Sequence, residues 1–507
     1  MIARRRLFRF CSMISAWAAG RAQPSARAAL ALQIGRAKVK HRKPYIAIQV
    51  GAVSFVDEGT EKVLDIFQEK ARVNTLWLNT YTYGRGTGGR QVPGNPLPDH
   101  GVQEYDLNYH GGAFYDYDPK YFRNTVLDDF RSPDYGKFNV LAEVLPKARK
   151  RGIDVVVWDY NNAYPTMPLR MRNYSRVLEI DVHGRSAHSA CFNNEDYRNH
   201  LFGKIEDYLK TYPEIAGIAW GCERMGPLMN MIGGGWTTPF ITCFCPRCCR
   251  KARERGISAE RAQAGYIALE KLFEAARKDQ RPADGYFVRF WRLLLDYPEI
   301  LAWEKLWTDS YREIRSEIYG IAKAIAPEKP LCWHIMHNMT LSPFYRAEEN
   351  YAVTKGYADY IKAVVYNNCG GPRMAAFLDR LHGAIFHDAR PQDFLPLYYR
   401  IMNYQEAPYE KLPTAGLSSD YVFRETKRAI AGVNGEIPIY PGIDIDIPTS
   451  AGEKRTAPDD VRQAVKAAFA AGADGVVLSR KYSEMRLDNL AGAGQGLRDA
   501  GVVPASP

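Results

Sequence analysis

The sequence predicts an α/β fold, a closed (β/α)8 TIM barrel with long insertions after strands 2, 4 and 6. Three observations support this prediction: eight short β-rich runs, helical patterns between them, and no GxGxxG motif after the first run. Strands that alternate with helices form a parallel sheet. Eight such units without a dinucleotide-binding fingerprint favour a closed barrel over an open doubly wound sheet.

Each β-rich run is closed by polar residues, glycine or proline, and several runs are apolar throughout. Continuous apolar character is typical of parallel strands that are covered on both faces. The predicted strands span residues 45–55, 75–82, 154–160, 215–222, 331–337, 360–366, 437–443 and 475–479. Helical patterns occupy residues 61–72, 138–151, 196–211 and 459–471.

Uneven spacing between the strands predicts insertions at one end of the barrel. Segments 84–137, 225–328 and 374–436 follow the second, fourth and sixth strands. Loops in these positions usually build the active-site face of a barrel. We expect a single barrel domain over residues 44–507, with a cysteine-rich loop and long helices in the second insertion. The alternative is two domains divided near residue 255, which the lack of a linker there disfavours.

The net charge of +11 comes from the beginning of the chain. Residues 1–43 hold eleven basic side chains and no acidic ones, and the remaining 57 basic groups equal the 57 acidic groups of the chain. Residues 44–507 are therefore formally neutral, which argues against nucleic acid as a partner. No run of 18 or more apolar residues occurs, so no membrane span is expected.

The first 30 residues have the features of a signal peptide. Arg4-Arg5-Arg6 resembles a twin-arginine export motif, a weak apolar stretch follows at 10–19, and Ala26-Arg27-Ala28 has the form of a cleavage site. We expect residues 1–30 to be this signal and residues 31–43 to be a basic linker, which implies a periplasmic or extracellular location. A disordered basic terminus, or a start codon placed too early, is the alternative.

Polar and aromatic residues follow most of the predicted strands. Catalytic groups of a barrel lie at the carboxyl ends of its strands, so these side chains should converge on one mouth. Their combination suits a carbohydrate, because sugar hydroxyls hydrogen-bond and sugar faces stack on aromatic rings. We expect the substrate to be bound by Trp158, Asp159, Trp220, Trp333, His337, Asn338, Tyr366, Asn367, Arg373, Lys481 and Tyr482.

Two carboxyl groups that flank one bond are the requirement for glycoside hydrolysis. Glu223 ends the fourth strand and is our candidate for the general acid/base. Asp444 and Asp446 end the seventh strand on a shared face, and either is a candidate nucleophile. Asp159 and Glu484 are further carboxylates at strand ends.

A cluster of cysteines predicts a structural metal site. Cys243, Cys245 and Cys248 form a C-x-C-x2-C pattern that can wrap one Zn²⁺, and Cys191 is the candidate for the fourth ligand. The spacing offers no open position for catalysis, so a zinc ion here would be structural. A disulfide in an exported chain and unliganded thiols are the alternatives.

These residues together resemble bacterial glycoside hydrolase-like (β/α)8 proteins over roughly residues 44–490. Glu223 on strand four with an acid on strand seven resembles the retaining clan that keeps its acid/base and nucleophile there, and the cysteine loop is similar to the structural zinc loop of the beta-galactosidase family. The clan normally has Glu where Asp444 or Asp446 stands here, and Asn where Cys222 stands.

Our first hypothesis is an exported glycoside hydrolase that acts on an oligo- or polysaccharide, with the retaining mechanism that the resemblance implies and with no organic cofactor. Two other hypotheses remain open. One is a barrel that binds carbohydrate without catalysis, since both differences from the clan, at Asp444 or Asp446 and at Cys222, fall in its active-site signature. The other is a metal-dependent hydrolase of another class that uses His337, Asp159 or Asp446.

Overall fold

A ring of parallel strands lies at the centre of the computed structural model, which describes residues 43–234 and 240–504. The strands are β1 Tyr45–Gly51, β2 Thr75–Thr82, β3 Gly112–Ala113, β4 Asp154–Tyr160, β5 Leu178–Ile180, β6 Ser186–Ala190, β7 Gly217–Gly221, β8 Leu331–Ile335, β9 Tyr360–Ala363, β10 Gly442–Asp444 and β11 Gly475–Ser479. Eight of them pair in the order β10-β11-β1-β2-β4-β7-β8-β9. The predicted signal peptide and residues 31–42 of the predicted linker lie outside the described residues.

The eight strands form a nearly closed barrel, which confirms the predicted fold class. Every ladder between neighbouring barrel strands is parallel. Bridges from Ile361 to Ile439 and from Val364 to Gly442 join β9 to the segment around β10 and complete the ring. Each predicted β-rich run overlaps one barrel strand. Counted around the barrel in chain order, β7 is the fourth strand and β10 is the seventh.

Several strands are shorter than the apolar runs that predicted them. The first run continues to residue 55, but β1 ends at Gly51 and the buried residues after it begin the helix Ala52–Glu58. Periodicity alone does not separate a buried strand from a buried helix start. The small strand β3 and the hairpin β5–β6 were not predicted, and both lie in connections between barrel strands.

Helices surround the barrel and fill its insertions. They span Ala52–Glu58, Thr60–Ala71, Arg85–Gly88, Val140–Lys150, Met167–Arg170, Glu195–Thr211, Pro227–Met229, Pro246–Glu254, Ala259–Arg277, Tyr286–Asp296, Glu299–Ile325, Asn338–Leu341, Pro343–Glu348, Tyr351–Thr354, Gly370–His382, Pro391–Met402, Leu412–Ala415, Ser419–Gly432, Pro458–Ala470 and Leu487–Asp499. Four of these, from Pro246 to Ile325, belong to the insertion after β7. No helix of the described residues is long and apolar enough to cross a membrane.

Large side chains fill the inside of the barrel and make it a packed core. The interior cluster comprises Tyr45, Ala47, Trp77, Val156, Trp158, Tyr160, Ala219, Cys332, Tyr360, Tyr440 and Val477. Side chains on the opposite strand faces pack against the surrounding helices in a second, larger core. Because successive residues of a strand point to opposite faces, this interior set fixes which residues face the mouth of the barrel.

Candidate active site

The mouth is built from residues that continue the inward face of the strands. One step beyond the interior core lie Gln49 on β1, His334 on β8 and Lys362 on β9, and Tyr160 on β4 forms the edge of the core beside them. Glycines leave room for these side chains: a Cβ atom on Gly442 would lie 2.6 Å from Cε of Lys362. The strand pattern therefore places a ring of polar groups above an aromatic floor.

Glu223 occupies this ring just after β7 and contacts its neighbours on both sides. His334 Nε2 lies 2.9 Å from Glu223 Oε1, and the backbone N–H of Glu223 donates to Asn162 Oδ1. Tyr160 makes a further hydrogen bond to the carboxyl group. The Glu223 side chain is 24% exposed, whereas that of His334 is 4% exposed. Glu223 is therefore held in place and still open to a ligand.

These contacts determine the protonation state of the pair. Burial alone would raise the pKa of Glu223, but the contact with His334, the hydrogen bond of Tyr160 and the charge of Arg373 lower it to about 2. Burial and the charge of Lys362 lower the pKa of His334. At neutral pH the carboxylate is therefore ionised, and a neutral imidazole supports it by donating a hydrogen bond from Nε2.

Lys362 lies beside His334 on the neighbouring strand β9 and is completely buried. Its Nζ donates to Gln49 Oε1 at 2.8 Å and to the hydroxyl of Tyr366 at 3.0 Å. Burial lowers the pKa of Lys362 to about 7, although the charge of Glu223 acts in the opposite direction. A cation that is this close to losing its proton makes the floor of the mouth sensitive to pH.

Asp444 ends β10 on the inward face but is fully buried. Its Oδ2 accepts the backbone N–H of Cys369 at 2.9 Å, and its Oδ1 accepts that of Ile447 at 2.9 Å. Burial raises the pKa of Asp444 to about 6, against the lowering effect of these hydrogen bonds and of Arg373. Asp444 thus joins the loops after β9 and β10.

Asp446 lies outside this arrangement. Its two carboxylate oxygens accept hydrogen bonds from the side chain of Arg486, with Oδ2 at 2.7 Å from Nε. Together with Gln91, Pro96 and Arg455 it lines a small surface cavity. The structure therefore places the two predicted nucleophile candidates in different environments.

Two arginines reach the mouth from the loops after β9 and β11. Arg373 approaches His337, with Nη1 3.1 Å from Nδ1, and its charge acts on both Glu223 and Asp444. Arg480 follows β11, donates from Nε to Glu484 at 3.0 Å and retains 31% exposure of its side chain. Both guanidinium groups therefore lie beside the carboxylates that the sequence singles out.

The aromatic residues predicted to bind substrate are divided between two layers. Trp158 belongs to the interior core beneath the mouth, and Tyr366 contacts Lys362 at its upper edge. Trp220 and Trp333 lie on the outer faces of β7 and β8, in edge contact with ring centroids 5.5 Å apart. Each of these two tryptophans is 1% exposed, so their rings pack under the helices.

The remaining predicted substrate-binding residues are buried in contacts with the surrounding structure. Asp159 forms an ion pair with Lys204, and His337 approaches the hydroxyl of Tyr421 at 3.0 Å. Lys481 donates to the carbonyl oxygen of Gly89, and the hydroxyl of Tyr482 donates to the carboxylate of Glu58. The backbone carbonyl groups of Asn367 and Asn338 accept hydrogen bonds from the N–H groups of Leu417 and Ser342. Their role in binding a substrate stays a prediction.

The four predicted metal ligands meet in one place. The sulfur atoms of Cys191, Cys243, Cys245 and Cys248 all lie within 4.8 Å of one another and are buried. Cys191 Sγ is 3.6 Å from Cys245 Sγ and 3.5 Å from Cys248 Sγ, too far for a disulfide bond of about 2.05 Å. Thiolates around one tetrahedral zinc ion would be about 3.8 Å apart.

The chemistry of this donor set fits a structural metal ion. It supplies four sulfur ligands and no position for a substrate, as closed structural sites do. Asn193 donates its backbone N–H to Cys191 Sγ and its side-chain amide to Cys248 Sγ, both at 3.3 Å. Among the residues that the structure describes, no other group of three or more His, Cys, Asp or Glu side chains is close enough to hold a metal.

Sequence reasoning missed Gln49, Lys362 and Arg480. Two of these could have been found by strand parity, because Gln49 and Lys362 each follow an inward residue by two positions. Arg480 lies beyond its strand, where parity gives no orientation.

Comparisons with known proteins support the barrel at the level of fold. No family model matches the chain, and no curated protein matches it. A beta-galactosidase from the haloarchaeon Halorubrum lacusprofundi is similar, with a TM-score of 0.51 and 14% identity over 91% of this chain and 58% of that chain. A beta-galactosidase from Marinomonas ef1 has a TM-score of 0.49 and 13% identity, over 90% of this chain and 60% of that one.

A third solved structure matches over almost its whole length. The PgaB (BpsB) glycoside hydrolase domain from Bordetella bronchiseptica has a TM-score of 0.45 and 11% identity, over 90% of this chain and 98% of that domain. At 14% identity, the similarity to the galactosidase from Halorubrum lacusprofundi shows a shared fold. The expected resemblance to glycoside hydrolase barrels is therefore confirmed for the architecture, and this chain spans about three fifths of the two galactosidases.

Proposed function

We propose that the protein is a glycoside hydrolase whose central carboxyl group is Glu223. The observation that carries this proposal is the placement of Glu223, partly exposed at the end of the fourth barrel strand and hydrogen-bonded to His334. The beta-galactosidase from Halorubrum lacusprofundi shares the fold, and that protein's name makes a carbohydrate the first substrate class to test. An oligo- or polysaccharide in a periplasmic or extracellular location would agree with the proposed signal peptide.

Asp444 is the better candidate for the second carboxyl group. It lies on the inward face of the seventh barrel strand, and Arg373 acts on both it and Glu223. Asp446 is already paired with Arg486 and faces another cavity. Each oxygen of Asp444 accepts one backbone N–H, and a carboxylate oxygen has a second lone pair for a reacting group.

The protonation states set a condition on the mechanism. A general acid must carry a proton, but the pKa of Glu223 is about 2 in the free protein. We therefore infer that substrate binding raises this pKa by excluding water and weakening the contact with Arg373. If Glu223 remained ionised throughout, it would act as the base or nucleophile, and Asp444, whose pKa is raised to about 6, would be the acid.

The experiment compares purified wild-type protein with two matched pairs of variants on a panel of p-nitrophenyl glycosides and on polysaccharides. Glu223→Gln is expected to lower turnover of substrates with poor leaving groups, such as the polysaccharides, at least about 1,000-fold, while Glu299→Gln, a half-buried glutamate of the insertion after β7 that pairs with Arg261, serves as control. Asp444→Asn should lower turnover far more than Asp446→Asn. Unchanged turnover in Glu223→Gln would refute the proposal.

Two observations keep carbohydrate binding without catalysis as a second candidate. Both oxygens of Asp444 are engaged by backbone N–H groups, and Arg373 stands near both carboxylates. Saturable glycan binding with no product from any substrate of the panel would favour this function.

If a product does form, the anomeric form of the first product distinguishes retention from inversion of configuration. Retention requires carboxyl groups about 5–5.5 Å apart.

We also propose zinc as the metal of the four-cysteine cluster. Cys191, Cys243, Cys245 and Cys248 would hold it, and its role would be to connect the hairpin β5–β6 region with the insertion after β7. Four thiolates prefer zinc over the hard cations calcium and magnesium. Metal analysis of the purified protein should give about one zinc per chain, and a Cys248→Ser variant should lose it.

A further inference from the structure

The charged groups at the mouth differ in their access to solvent. Arg480 is 31% and Glu223 24% exposed in their side chains, and Arg373 is half-buried. The other two carboxylates near them, Asp444 and Glu484, are buried. A ligand that enters the mouth would therefore meet two cations and one anion.

The charges of the two arginines act on a shared neighbour. Arg373 Nη1 lies 3.1 Å from His337 Nδ1, and the His337 ring packs edge-on against Tyr366 with centroids 5.5 Å apart. The charges of Arg373 and Arg480 both act on Tyr366, and that of Arg373 also acts on Glu223. The two arginines therefore act on the same part of the mouth, where Glu223 is exposed.

The hydrogen bonds of Arg480 leave part of its donor set for a ligand. Glu484 accepts from Nε and from one terminal nitrogen, Nη2, of Arg480. A guanidinium has five N–H donors in a planar fork, and these two bonds engage Nε and Nη2 of a side chain that is 31% exposed. Planar forks of this kind match carboxylates better than they match neutral hydroxyls.

We propose that the mouth is specific for an anionic sugar, whose carboxylate is bound by Arg373 and Arg480 beside Glu223. This inference rests on the proposed function, because it names the substrate class of the same site. It also gives a reason why Glu223 would take up the proton that a general acid needs. A substrate carboxylate that draws Arg373 away from Glu223 would weaken the interaction that keeps Glu223 ionised.

The test measures binding, so it does not depend on turnover. Saturation-transfer NMR or calorimetry is carried out on full-length Glu223→Gln protein with D-glucuronate and D-galacturonate, and with glucose and galactose as their neutral parents. We expect the uronates to bind at least about tenfold more tightly than the neutral sugars. Raising NaCl from 50 to 500 mM should weaken the uronates and leave the neutral sugars unchanged.

Three arginine variants, made in the same Glu223→Gln background, assign the preference to these side chains. Arg480→Gln and Arg373→Gln should each lower uronate affinity at least about tenfold, and Arg480→Lys should recover only part of it because the fork is lost. The surface variant Arg292→Gln, whose arginine pairs with Asp284 at 46% exposure, should bind as the parent does. Equal affinity for uronates and neutral sugars, or no binding of either, would overturn the inference.

The outcomes also separate this inference from the proposed function. Uronate binding that needs both arginines, with no hydrolysis by wild-type protein, would support the anion site and refute the hydrolase. Hydrolysis of neutral glycosides at the same rate as uronides would support the hydrolase and overturn the anion site. If an arginine variant does not fold, the salt dependence of the folded parent tests the anion site instead: uronate affinity that falls with salt supports it, and unchanged affinity overturns it.

Discussion

The substitution Lys204→Met should destabilise the fold far more than the removal of an exposed lysine. Lys204 and Asp159 form an ion pair with Nζ 2.9 Å from Oδ1, and neither side chain is exposed. The ammonium group also donates to Asn161 and lies 3.5 Å from the ring centre of Tyr81. Methionine replaces the stem of the lysine but leaves the Asp159 carboxylate buried without its cation.

The magnitude follows from the burial of both partners. Breaking a buried ion pair by removing one member costs about 3–5 kcal/mol, because the remaining charge is uncompensated. Asp159 Oδ2 already has no hydrogen-bond partner among the described residues, so few other groups can take over. For a chain of this size the unfolding entropy is roughly 1 kcal/mol per kelvin, so the midpoint should fall by about 3–5 °C.

The assay is thermal unfolding by calorimetry at pH 7, with urea unfolding as a second measurement. The double variant Lys204→Met with Asp159→Leu removes both charges and should recover most of the lost stability. The control is Lys305→Met, which breaks an exposed pair with Asp309 and should move the midpoint by less than about 1 °C. Equal losses in Lys204→Met and in the double variant would refute the reasoning.

Three further predictions concern the site and the cysteine cluster. His334→Ala should raise the pKa of Glu223 from about 2 by at least about 1, measured by ¹³C NMR of labelled glutamate, and an unchanged value would contradict the role of His334. The pKa of Asp444 is about 6 in the fold against 3.8 when exposed, so the folded protein binds more protons than the unfolded chain between these values. Wild-type stability relative to Asp444→Asn should therefore fall by about 2 kcal/mol from pH 4 to pH 6 in urea unfolding, and a constant difference would contradict this. Cys245→Ser should release metal to a chromogenic chelator and lower the thermal midpoint, whereas Cys332→Ser, at a buried cysteine outside the cluster, should release none.

The barrel was predictable because its signal is repeated along the chain. Eight β-rich runs separated by helices specify a parallel sheet, and each unit contributes independent evidence. The cysteine cluster was predictable for a different reason. Three of its sulfur ligands lie within six residues, so local chain geometry brings them together, and only Cys191 had to be assigned without a spacing argument.

The orientation of strand residues limited the prediction of the site. Trp220 and Glu223 are close in sequence, but Trp220 lies on the outer face of β7 and packs under the helices. Asp159 is likewise on the outer face, opposite to its neighbours Trp158 and Tyr160. Lys362 shares the inward face with Tyr360, two positions earlier, and was missed because parity was not applied along β9.

The most direct test of the central proposal is the dependence of Glu223→Gln turnover on the leaving group. A general acid is needed to expel a poor leaving group and is nearly dispensable for a good one. Once a responsive sugar is known, its 2,4-dinitrophenyl and methyl glycosides are compared in wild-type protein and in the variant. The account predicts a loss of at least about 1,000-fold for the methyl glycoside and less than about tenfold for bond cleavage in the dinitrophenyl glycoside. Equal losses for the two substrates would contradict the acid/base role of Glu223.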